Sequence, residues 1–511
     1  MLTKVVPINF AGLPGVGSVF TAADLELPAK NDDELPLLSL DQSLDLEIDA
    51  ATRLYSAHLN KYMLQIFDIL GLKDMDIKGA EGVEIWLNDG RTLLDFSAGL
   101  GVVGLGHNHP RIIEAERKCH ERKIIDCIKI APHKLQGALA YNLSLFLPPP
   151  LTVSFFAVSG AEANEAAMKL SERVQTPKGK TKFLCMRGAF HGKTHGPLSL
   201  TTATDVQSGF LLGVPKENVV YVRYGDIEAM RQAIEAETDP SGRNLIIAAI
   251  VETINGTTCE VPQAGYLRAF AELCSKNDIL SIFDEVKVGM GRSGRFCAFQ
   301  YEDVVPDIVT LAKTLGGGKR EVTAMVTSQA LFDRAYGNKQ DCNLHSSSFS
   351  GLGESCAVAI ETLNILQDEG LIENAERIGR YLSTRLHDLK AKYPRHILEV
   401  RGRGLFQAIR LNFHQELICK LIDVSKNPLF QTYQTVLIGA VTRQMFERHN
   451  ILVHFQPGAR DLLHFMPPFV AEERHIDKLI EALDDTLASG VADATLRFVT
   501  QNIKRVFREL T

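Results

Sequence analysis

The chain has 511 residues, of which 45% are hydrophobic and 23% charged, and its formal net charge at pH 7 is −7. Such a length exceeds one compact core and predicts two or three domains, or one large and one small domain, in a soluble globular protein. The negative charge, without a concentrated tract of Lys and Arg, argues against a nucleic-acid-binding surface.

Cysteine usage and hydropathy narrow the setting further. The nine cysteines are scattered, odd in number and never spaced as C-x-x-C. We therefore expect neither a disulfide framework nor a metal site, and a reducing, cytoplasmic compartment fits. No run of about 18 apolar residues occurs, so no membrane-spanning helix is expected. The mildly apolar stretch 5–20 is interrupted by proline and glycine and indicates an extension, not a signal peptide.

The first segment, residues 1–50, differs in composition from the rest. It is acidic and carries leucines, with Pro28 and Pro36 breaking any regular pattern. Its composition leaves open whether it is mobile or wraps around a partner subunit. Residues 49–70 have the apolar spacing of a helix, and we assign 51–95 to the N-terminal part of a small domain.

An alternation of strand and helix patterns follows, and it predicts a large domain over residues 96–370. Several strand-like runs are apolar throughout, which is typical of strands buried on both faces of a mostly parallel sheet. The segment 161–175 has helical apolar spacing. The pattern therefore predicts a doubly wound α/β fold, which binds ligands at the carboxyl ends of its strands. The runs are 153–158, 182–186, 219–223, 245–252, 279–284, 307–312 and 323–327.

The remainder of the chain predicts a smaller α+β domain over residues 371–490. Its strands are expected near 398–411 and 451–466. Residues 491–511 repeat apolar positions with basic residues between them, which indicates an amphipathic helix packed on the body of the protein or on a dimer partner.

Two of the predicted strands end in groups of opposite chemistry. Asp284 closes the run 279–284, and Lys313 follows the run 307–312 and precedes three glycines. Since neighbouring parallel strands end at one edge of a sheet, we expect the acid and the amine to lie close together. Pyridoxal phosphate enzymes need such a pair: an amine that forms a Schiff base with the aldehyde, and a carboxylate that keeps the pyridine nitrogen protonated.

Two loops at the same edge suit the rest of such a cofactor. Ser159-Gly160-Ala161 joins a strand to the helix 161–175, and a helix N-terminus with glycine can hold a phosphate. Alone, this junction is more often a plain helix cap; beside the Asp284–Lys313 pair, the phosphate interpretation is favoured. Phe190-His191 follows the strand 182–186, where an aromatic side chain can stack on a planar ring.

These residues resemble the class III aminotransferases of the ω-, acetylornithine and putrescine type, which have the pyridoxal phosphate fold type I. The resemblance runs from about residue 80 to 485, in the family's order and spacing. It rests on SGAEANEAA at 159–167, GAFHG at 188–192, IFDEV at 282–286, GMGRSG at 289–294 and LAKTLGGG at 311–318.

The resemblance implies a role for each matching residue. Lys313 would carry the cofactor and then move a proton on the substrate, and Asp284 would pair with the pyridine nitrogen. Ser348 would bind the phosphate from the other subunit, which implies a homodimer with shared active sites. The remaining residues expected at the cofactor are Ser159, Gly160 and Ala161 at the phosphate, Phe190 and Val286 on the ring faces, and His191, Glu252, Lys287 and Ser347 nearby.

Departures from the family lie mainly where a substrate would bind. Lys287 stands where the family usually has a Gln beside the cofactor's phenolic oxygen; whether it contacts that oxygen or points elsewhere is open. His464 replaces the Arg that binds the substrate α-carboxylate, and Thr257 replaces the Glu that neutralises that Arg in some members. Leu100 replaces a Tyr of the ornithine-type members.

Because a neutral His is a poor substitute for an Arg clamp, the sequence favours an amino transfer in which one apolar substrate lacks an α-carboxylate. The partners would be a small-molecule amine donor and a carbonyl acceptor. The alternative is a decarboxylase, lyase or aminomutase on the same fold, since the cofactor residues are shared.

Overall fold

The computed structural model describes residues 37–127, 130–203, 206–350, 352–412 and 428–488. Residues 1–36 of the predicted extension and the predicted helix 491–511 lie outside these ranges. Among the described residues, no helix combines the length and the apolar character that crossing a membrane requires.

A seven-stranded sheet forms the centre of the molecule, and it contains all seven predicted strands. Six of its strands run parallel, and the seventh, Thr323–Ser328, is antiparallel to both of its neighbours. In the spatial order β4-β10-β9-β8-β7-β5-β6, the strands are β4 Leu151–Ala157, β10 Thr323–Ser328, β9 Ile308–Leu311, β8 Leu280–Asp284, β7 Ile246–Glu252, β5 Lys182–Arg187 and β6 Val219–Arg223.

Both faces of this sheet are buried, which is why its strands are apolar throughout. Along β5, Phe183 and Cys185 contribute to one core cluster, and Leu184 and Met186 to another. The helix Gly160–Gln175 packs on the first of these faces through its alanines. The doubly wound α/β prediction is confirmed.

The helices are longest in the C-terminal third of the chain. In chain order they are α1 Leu40–Leu44, α2 Ile48–Tyr55, α3 Lys61–Ile69, α4 Ala98–Gly101, α5 Pro110–Glu121, α6 Lys134–Phe146, α7 Gly160–Gln175, α8 His195–Leu200, α9 Ile227–Ala236, α10 Tyr266–Lys276, α11 Gln329–Tyr336, α12 Gly353–Asp368, α13 Leu371–Lys392, α14 Pro428–His449 and α15 Glu473–Ala488. A short π-helical turn, Ser56–Asn60, joins α2 to α3 within the predicted helix 49–70.

Two four-stranded sheets flank the large one. The first has the order β1-β2-β3-β13 and the second the order β11-β12-β15-β14, so the predicted strands at 398–411 and 451–466 are present. The strands are β1 Ile77–Glu81, β2 Glu84–Leu87, β3 Thr92–Asp95, β11 Ile397–Arg403, β12 Phe406–Leu411, β13 Ile451–Leu452, β14 His454–Gln456 and β15 Ala459–Phe465. Because β13 pairs with β3, the C-terminal part of the chain completes an N-terminal sheet.

The sheet register explains how the two key residues meet. β8 and β9 are neighbours, with Ile282 opposite Ile308 and Asp284 opposite Thr310. Asp284 is the last residue of β8, and Lys313 begins a 3₁₀ turn just beyond β9. Both therefore lie at the carboxyl edge of the sheet, as the sequence predicts.

Candidate active site

The Asp284 carboxylate is the centre of a buried hydrogen-bond network. One of its oxygens accepts from Asn164 Nδ2 and from His191 Nδ1, both at 2.8 Å. The other accepts from the backbone N–H of Val286 at 3.0 Å. Asp284 has 4% of its surface exposed, and three donors satisfy its buried carboxylate oxygens.

Asn164 is a site residue that the sequence analysis quoted within a motif without assigning it a role. Its Oδ1 accepts from Thr310 Oγ1 at 2.8 Å, which leaves its Nδ2 to donate to Asp284 and to the His191 carbonyl. The signal was available in α7, since Asn164 is a polar residue on the face where Ala163 and Ala167 are buried.

Lys313 sits in a conformation that non-glycine residues seldom adopt, with φ +54°. Its Cδ lies 3.8 Å from the place a Cβ would take on Gly101. Burial lowers the pKa of the Lys313 amine, while Asp284 and Glu252 oppose the shift. The amine is therefore held beside two carboxyl groups at a tightly defined point.

The junction before α7 is both capped and closely packed. Ser159 Oγ accepts from the Glu162 backbone N–H at 3.3 Å, and the Glu162 carboxylate accepts from the Ser159 N–H at 2.9 Å. A Cβ added to Gly160 would lie 2.7 Å from Val286 Cγ1. One added to Gly192 would lie 2.6 Å from the Cβ of Ala161. The helix N-terminus and the loop after β8 thus meet through Gly160.

We expect Gly160→Ala to weaken cofactor retention about tenfold or more and to destabilise the fold by about 1–3 kcal/mol, because Val286 must move away from the added methyl group. Gly137→Ala is the matched control: a Cβ there meets nothing within 4 Å and lies on α6, where alanine is the better helix former. Cofactor dissociation under dialysis and urea midpoints measure both effects. Equal behaviour of the two variants would contradict the expectation.

The Glu252 carboxylate joins the loop of Phe190 to the loop of Gly256. The Phe190 N–H donates to Glu252 Oε2 at 3.1 Å, and the Gly256 N–H donates to Glu252 Oε1 at 2.9 Å. The Phe190 ring is 41% exposed, so it is available for contact with a bound molecule. Burial raises the pKa of the Glu252 carboxyl to about 7.

The Lys287 side chain, whose direction the sequence left open, reaches towards the smaller domain. Its Nζ donates to the Gly256 carbonyl and lies 4.9 Å from the centre of the Phe406 ring. Burial and the neighbouring Lys313 lower the pKa of its amine to about 8.

His464 lies in the interior of the second small sheet. Its ring is 0% exposed and stacks on Phe406, with centroids 6.1 Å apart, and on His454, with centroids 5.2 Å apart. It sits beside the Thr257 backbone, yet none of the four ring nitrogens of the two histidines has a hydrogen-bond partner among the described residues. Thr257 itself is buried, and its N–H donates to Asn255 Oδ1 at 3.0 Å.

This histidine pair is expected to make the protein acid-sensitive. Burial lowers the pKa of His454 to about 3 and that of His464 well below its usual value of 6.5. The unfolded chain therefore binds more protons below pH 6.5, so stability is complete above that pH and is lost as the pH falls towards 3. The loss for the pair is about 2 kcal/mol between pH 6.5 and 5.5.

Urea midpoints measured across that pH range test the expectation. The double variant His454→Phe and His464→Phe keeps two stacked rings and should flatten the profile. The exposed His387→Phe serves as the control and should leave it unchanged. An unaltered profile in the double variant would show that other groups cause any acid sensitivity.

Leu100 lies near Lys313 in the four-residue segment α4, whose backbone is left-handed and not that of a regular α-helix. Ala98, Gly99, Leu100 and Gly101 all have positive φ. Thr314 Oγ1 donates to the Gly101 carbonyl at 3.2 Å, which ties the turn to the residue after Lys313. The Leu100 side chain is 48% exposed and is free to contact a substrate.

Ser347 and Ser348 make their hydrogen bonds outside the cluster around Asp284 and Lys313. Ser348 is exposed, and its carbonyl accepts from Cys127 Sγ at 3.5 Å. The Ser347 carbonyl accepts from Ser350 Oγ at 3.0 Å. Among the described residues, no hydrogen bond joins Ser348 to Asp284 or Lys313.

The cluster fits the expected pyridoxal phosphate. The Asp284 carboxylate is buried at the same sheet edge as the Lys313 amine, and α7 begins there with backbone N–H groups of the kind that bind an anion. His191 Nε2 is buried and has no partner among the described residues. The exposed Phe190 ring supplies a stacking surface.

Known proteins are similar to this chain. The model of the family Aminotransferase class-III matches residues 71–487. A putrescine aminotransferase from Pectobacterium atrosepticum is 38% identical over 405 residues, which cover 78% of this chain and 79% of the relative.

Solved structures are also similar to this chain. An (S)-enantioselective omega-transaminase from Thermomicrobium roseum has a TM-score of 0.70 at 30% identity, covering 81% of this chain and 93% of its own. An ornithine aminotransferase from Toxoplasma gondii with partial occupancy of PLP at its active site has a TM-score of 0.69 at 25% identity, covering 82% and 91%. The chain thus belongs to the class III aminotransferases, enzymes of fold type I that use pyridoxal phosphate to transfer an amino group.

Proposed function

We propose that this aminotransferase acts between an amine or amino acid donor and an aldehyde or keto acid acceptor, and that one of the two substrates is apolar and lacks an α-carboxylate. One observation carries the proposal: position 464 holds an uncharged imidazole sealed between Phe406 and His454. A neutral buried ring offers no charge to a carboxylate. Leu100 adds an exposed apolar surface beside Lys313.

In this proposal Lys313 and Asp284 are the catalytic residues. When bound, pyridoxal phosphate supplies the electron sink that makes the proton on the substrate Cα acidic. Lys313 would hold the cofactor and, once a substrate has displaced it, would move that proton from the substrate Cα to the C4′ atom of the cofactor. Asp284, oriented by Asn164 and His191, keeps the pyridine nitrogen protonated.

The remaining cofactor contacts follow from the same edge. Gly160 and Ala161 would offer their backbone N–H groups at the start of α7 to the phosphate, next to Ser159, whose own N–H is bonded to Glu162. Phe190 and Val286 would hold the two faces of the ring; Phe190 is exposed, and Val286 packs against Gly160. Glu252 orients the Phe190 loop and the Gly256 loop through its two oxygens.

We further propose a cytoplasmic homodimer with shared active sites. Ser347 and Ser348 would reach the phosphate of the partner subunit, since Ser348 is exposed here and bonded to Cys127 instead of the Lys313 cluster. Leu344 and Phe349, on either side of these serines, are 51% and 58% exposed, and apolar side chains of that size favour burial in an interface. All eight cysteines among the described residues are free, which suits a reducing compartment.

The domain boundaries remain part of the proposal: an N-terminal extension over 1–50, a small domain formed by 51–95 and 371–490, a large domain over 96–370 and a C-terminal amphipathic helix over 491–511.

A donor comparison tests the substrate proposal. L-Phenylalanine and 2-phenylethylamine differ by the α-carboxylate, and we expect kcat/KM to be at least about tenfold higher for the amine, because the site offers no guanidinium at position 464. Diamines such as putrescine, named for the Pectobacterium relative, belong in the same panel. Efficient turnover with glutamate and 2-oxoglutarate alone would refute the proposal. A decarboxylase would instead release carbon dioxide from the amino acid without needing an acceptor.

A further inference from the structure

Lys287 is a cation at the site that no part of the described chemistry uses. It follows Val286 directly after β8 and is partly buried. Among the described residues, its ammonium makes one hydrogen bond, to the Gly256 carbonyl, and rests over the Phe406 ring. Since an ammonium has three donors, two remain for another acceptor.

The titratable side chains on the Phe406 side of Lys287 are all uncharged. The positive charge of Lys287 helps to lower the pKa values of His454 and His464, so both imidazoles lie close to it and stay neutral. Cys259 donates to the Phe406 carbonyl at 3.4 Å, and burial raises the pKa of its thiol, which stays protonated. Lys287 is therefore the one charged group among these side chains.

Other basic groups near the pocket are already engaged. Arg292 is 1% exposed, donates to the carbonyls of Leu405 and Pro467, and stacks on Phe469 at 4.5 Å. Arg401 is paired with the Glu399 carboxylate. Lys313 is the residue proposed to hold the cofactor.

The Glu252 carboxyl is near enough to raise the pKa of Lys287, but its two oxygens accept from the N–H groups of Phe190 and Gly256. The direct partners of the Lys287 ammonium among the described residues are both uncharged. A neutral carbonyl and a ring face compensate only part of the desolvation of a cation. A carboxylate brought within reach would form a charge-assisted hydrogen bond, about twice as strong as a neutral one. The flexible four-carbon stem lets the ammonium move towards such a group without moving the backbone.

We infer that Lys287 binds the carboxylate of the acid-bearing substrate, swinging to it from the Gly256 carbonyl, and returns to that carbonyl when the uncharged substrate enters. This inference rests on the proposed function, in which one substrate has a carboxylate and the other does not. Lys287 is then the specificity-determining residue of a pocket whose position 464 is uncharged.

A kinetic comparison tests the inference with 2-phenylethylamine as a constant donor. Pyruvate and acetaldehyde differ by the carboxylate, and in Lys287→Met the ratio of their kcat/KM values should fall about 10–100-fold. Lys287→Arg keeps the charge and should restore part of the ratio. Lys276→Met, an exposed lysine of the same large domain, is the matched control and should keep the ratio. An unchanged ratio in Lys287→Met would overturn the inference.

A binding measurement on the holoenzyme tests, without relying on turnover, whether Lys287 binds a carboxylate. Succinate is added, lysines are acylated with a limiting reagent, and labelled peptides are quantified by mass spectrometry. We expect succinate to protect Lys287 at least fivefold and to leave Lys276 unaffected, whereas equal labelling of Lys287 with and without succinate would refute carboxylate binding. Absence of turnover with every donor would count against the proposed function, while the protection experiment would still report on Lys287.

Discussion

Replacing Lys313 by alanine is expected to lower kcat for amino transfer by about 10³–10⁴-fold or more, because one side chain both holds the cofactor and moves the substrate proton. The backbone turn that presents Lys313 has positive φ, and its side chain runs beside Gly101, so no other described amine occupies the same place. Visible absorbance of the purified variant should differ from that of the wild type, since the covalent link to the lysine is lost.

Controls separate the loss of the amine from general damage. Lys276→Ala removes an exposed lysine and should leave kcat and absorbance unchanged. Lys287 is a second amine near Lys313, whose positive charge helps to lower the Lys287 pKa. If Lys313→Ala kept more than about a tenth of wild-type kcat and lost it on further replacement of Lys287, the assignment of Lys313 would be wrong.

Much of the fold was predictable because burial on both faces leaves a strong signal. All seven strands of the large sheet are apolar runs in the sequence, and β7 is buried over its whole length. The N-terminal strands β1, β2 and β3 were missed, because each has only four or five residues. A strand of that length contains too few repeats of the apolar pattern to be recognised.

The positions of site residues that lie at the ends of strands were predictable. Asp284 and Lys313 lie where their strands predict, because parallel neighbours share a carboxyl edge. The stacking of His454 on His464 was not predictable, since it depends on the pairing of β14 with β15. The direction of Lys287 likewise depends on Gly256 and Phe406, which come from other elements.

Asp284→Asn is the second change with a large expected effect, a fall of about 10²–10³-fold in kcat/KM. The amide has nearly the same shape but lacks the negative charge that holds a proton on the pyridine nitrogen, and loss of a single preorganised electrostatic partner has effects of this size. Asp307→Asn is the matched control, since Asp307 is also a carboxylate at a strand end, bonded to Ser281 Oγ at 2.8 Å, but before β9 instead of after β8. It should change stability and leave kcat/KM within about threefold.

The network around Asp284 predicts what the substitution does to the fold. With its carbonyl oxygen kept towards the Val286 N–H, the new amide nitrogen would face Asn164 Nδ2 and His191 Nδ1. His191 can accept a hydrogen bond by changing tautomer, because its Nε2 has no partner among the described residues. Asn164 cannot, since its Oδ1 is bonded to Thr310.

One donor therefore faces another, and turning the amide over only moves the conflict to the Val286 N–H. We expect a loss of about 1–3 kcal/mol in unfolding free energy, measured by urea denaturation. Asn164→Asp in the same chain offers the new amide an acceptor but sets a carboxylate oxygen against the His191 carbonyl, so it should recover only part of the stability. Wild-type kcat/KM in Asp284→Asn alone would mean that the charge of Asp284 is not needed.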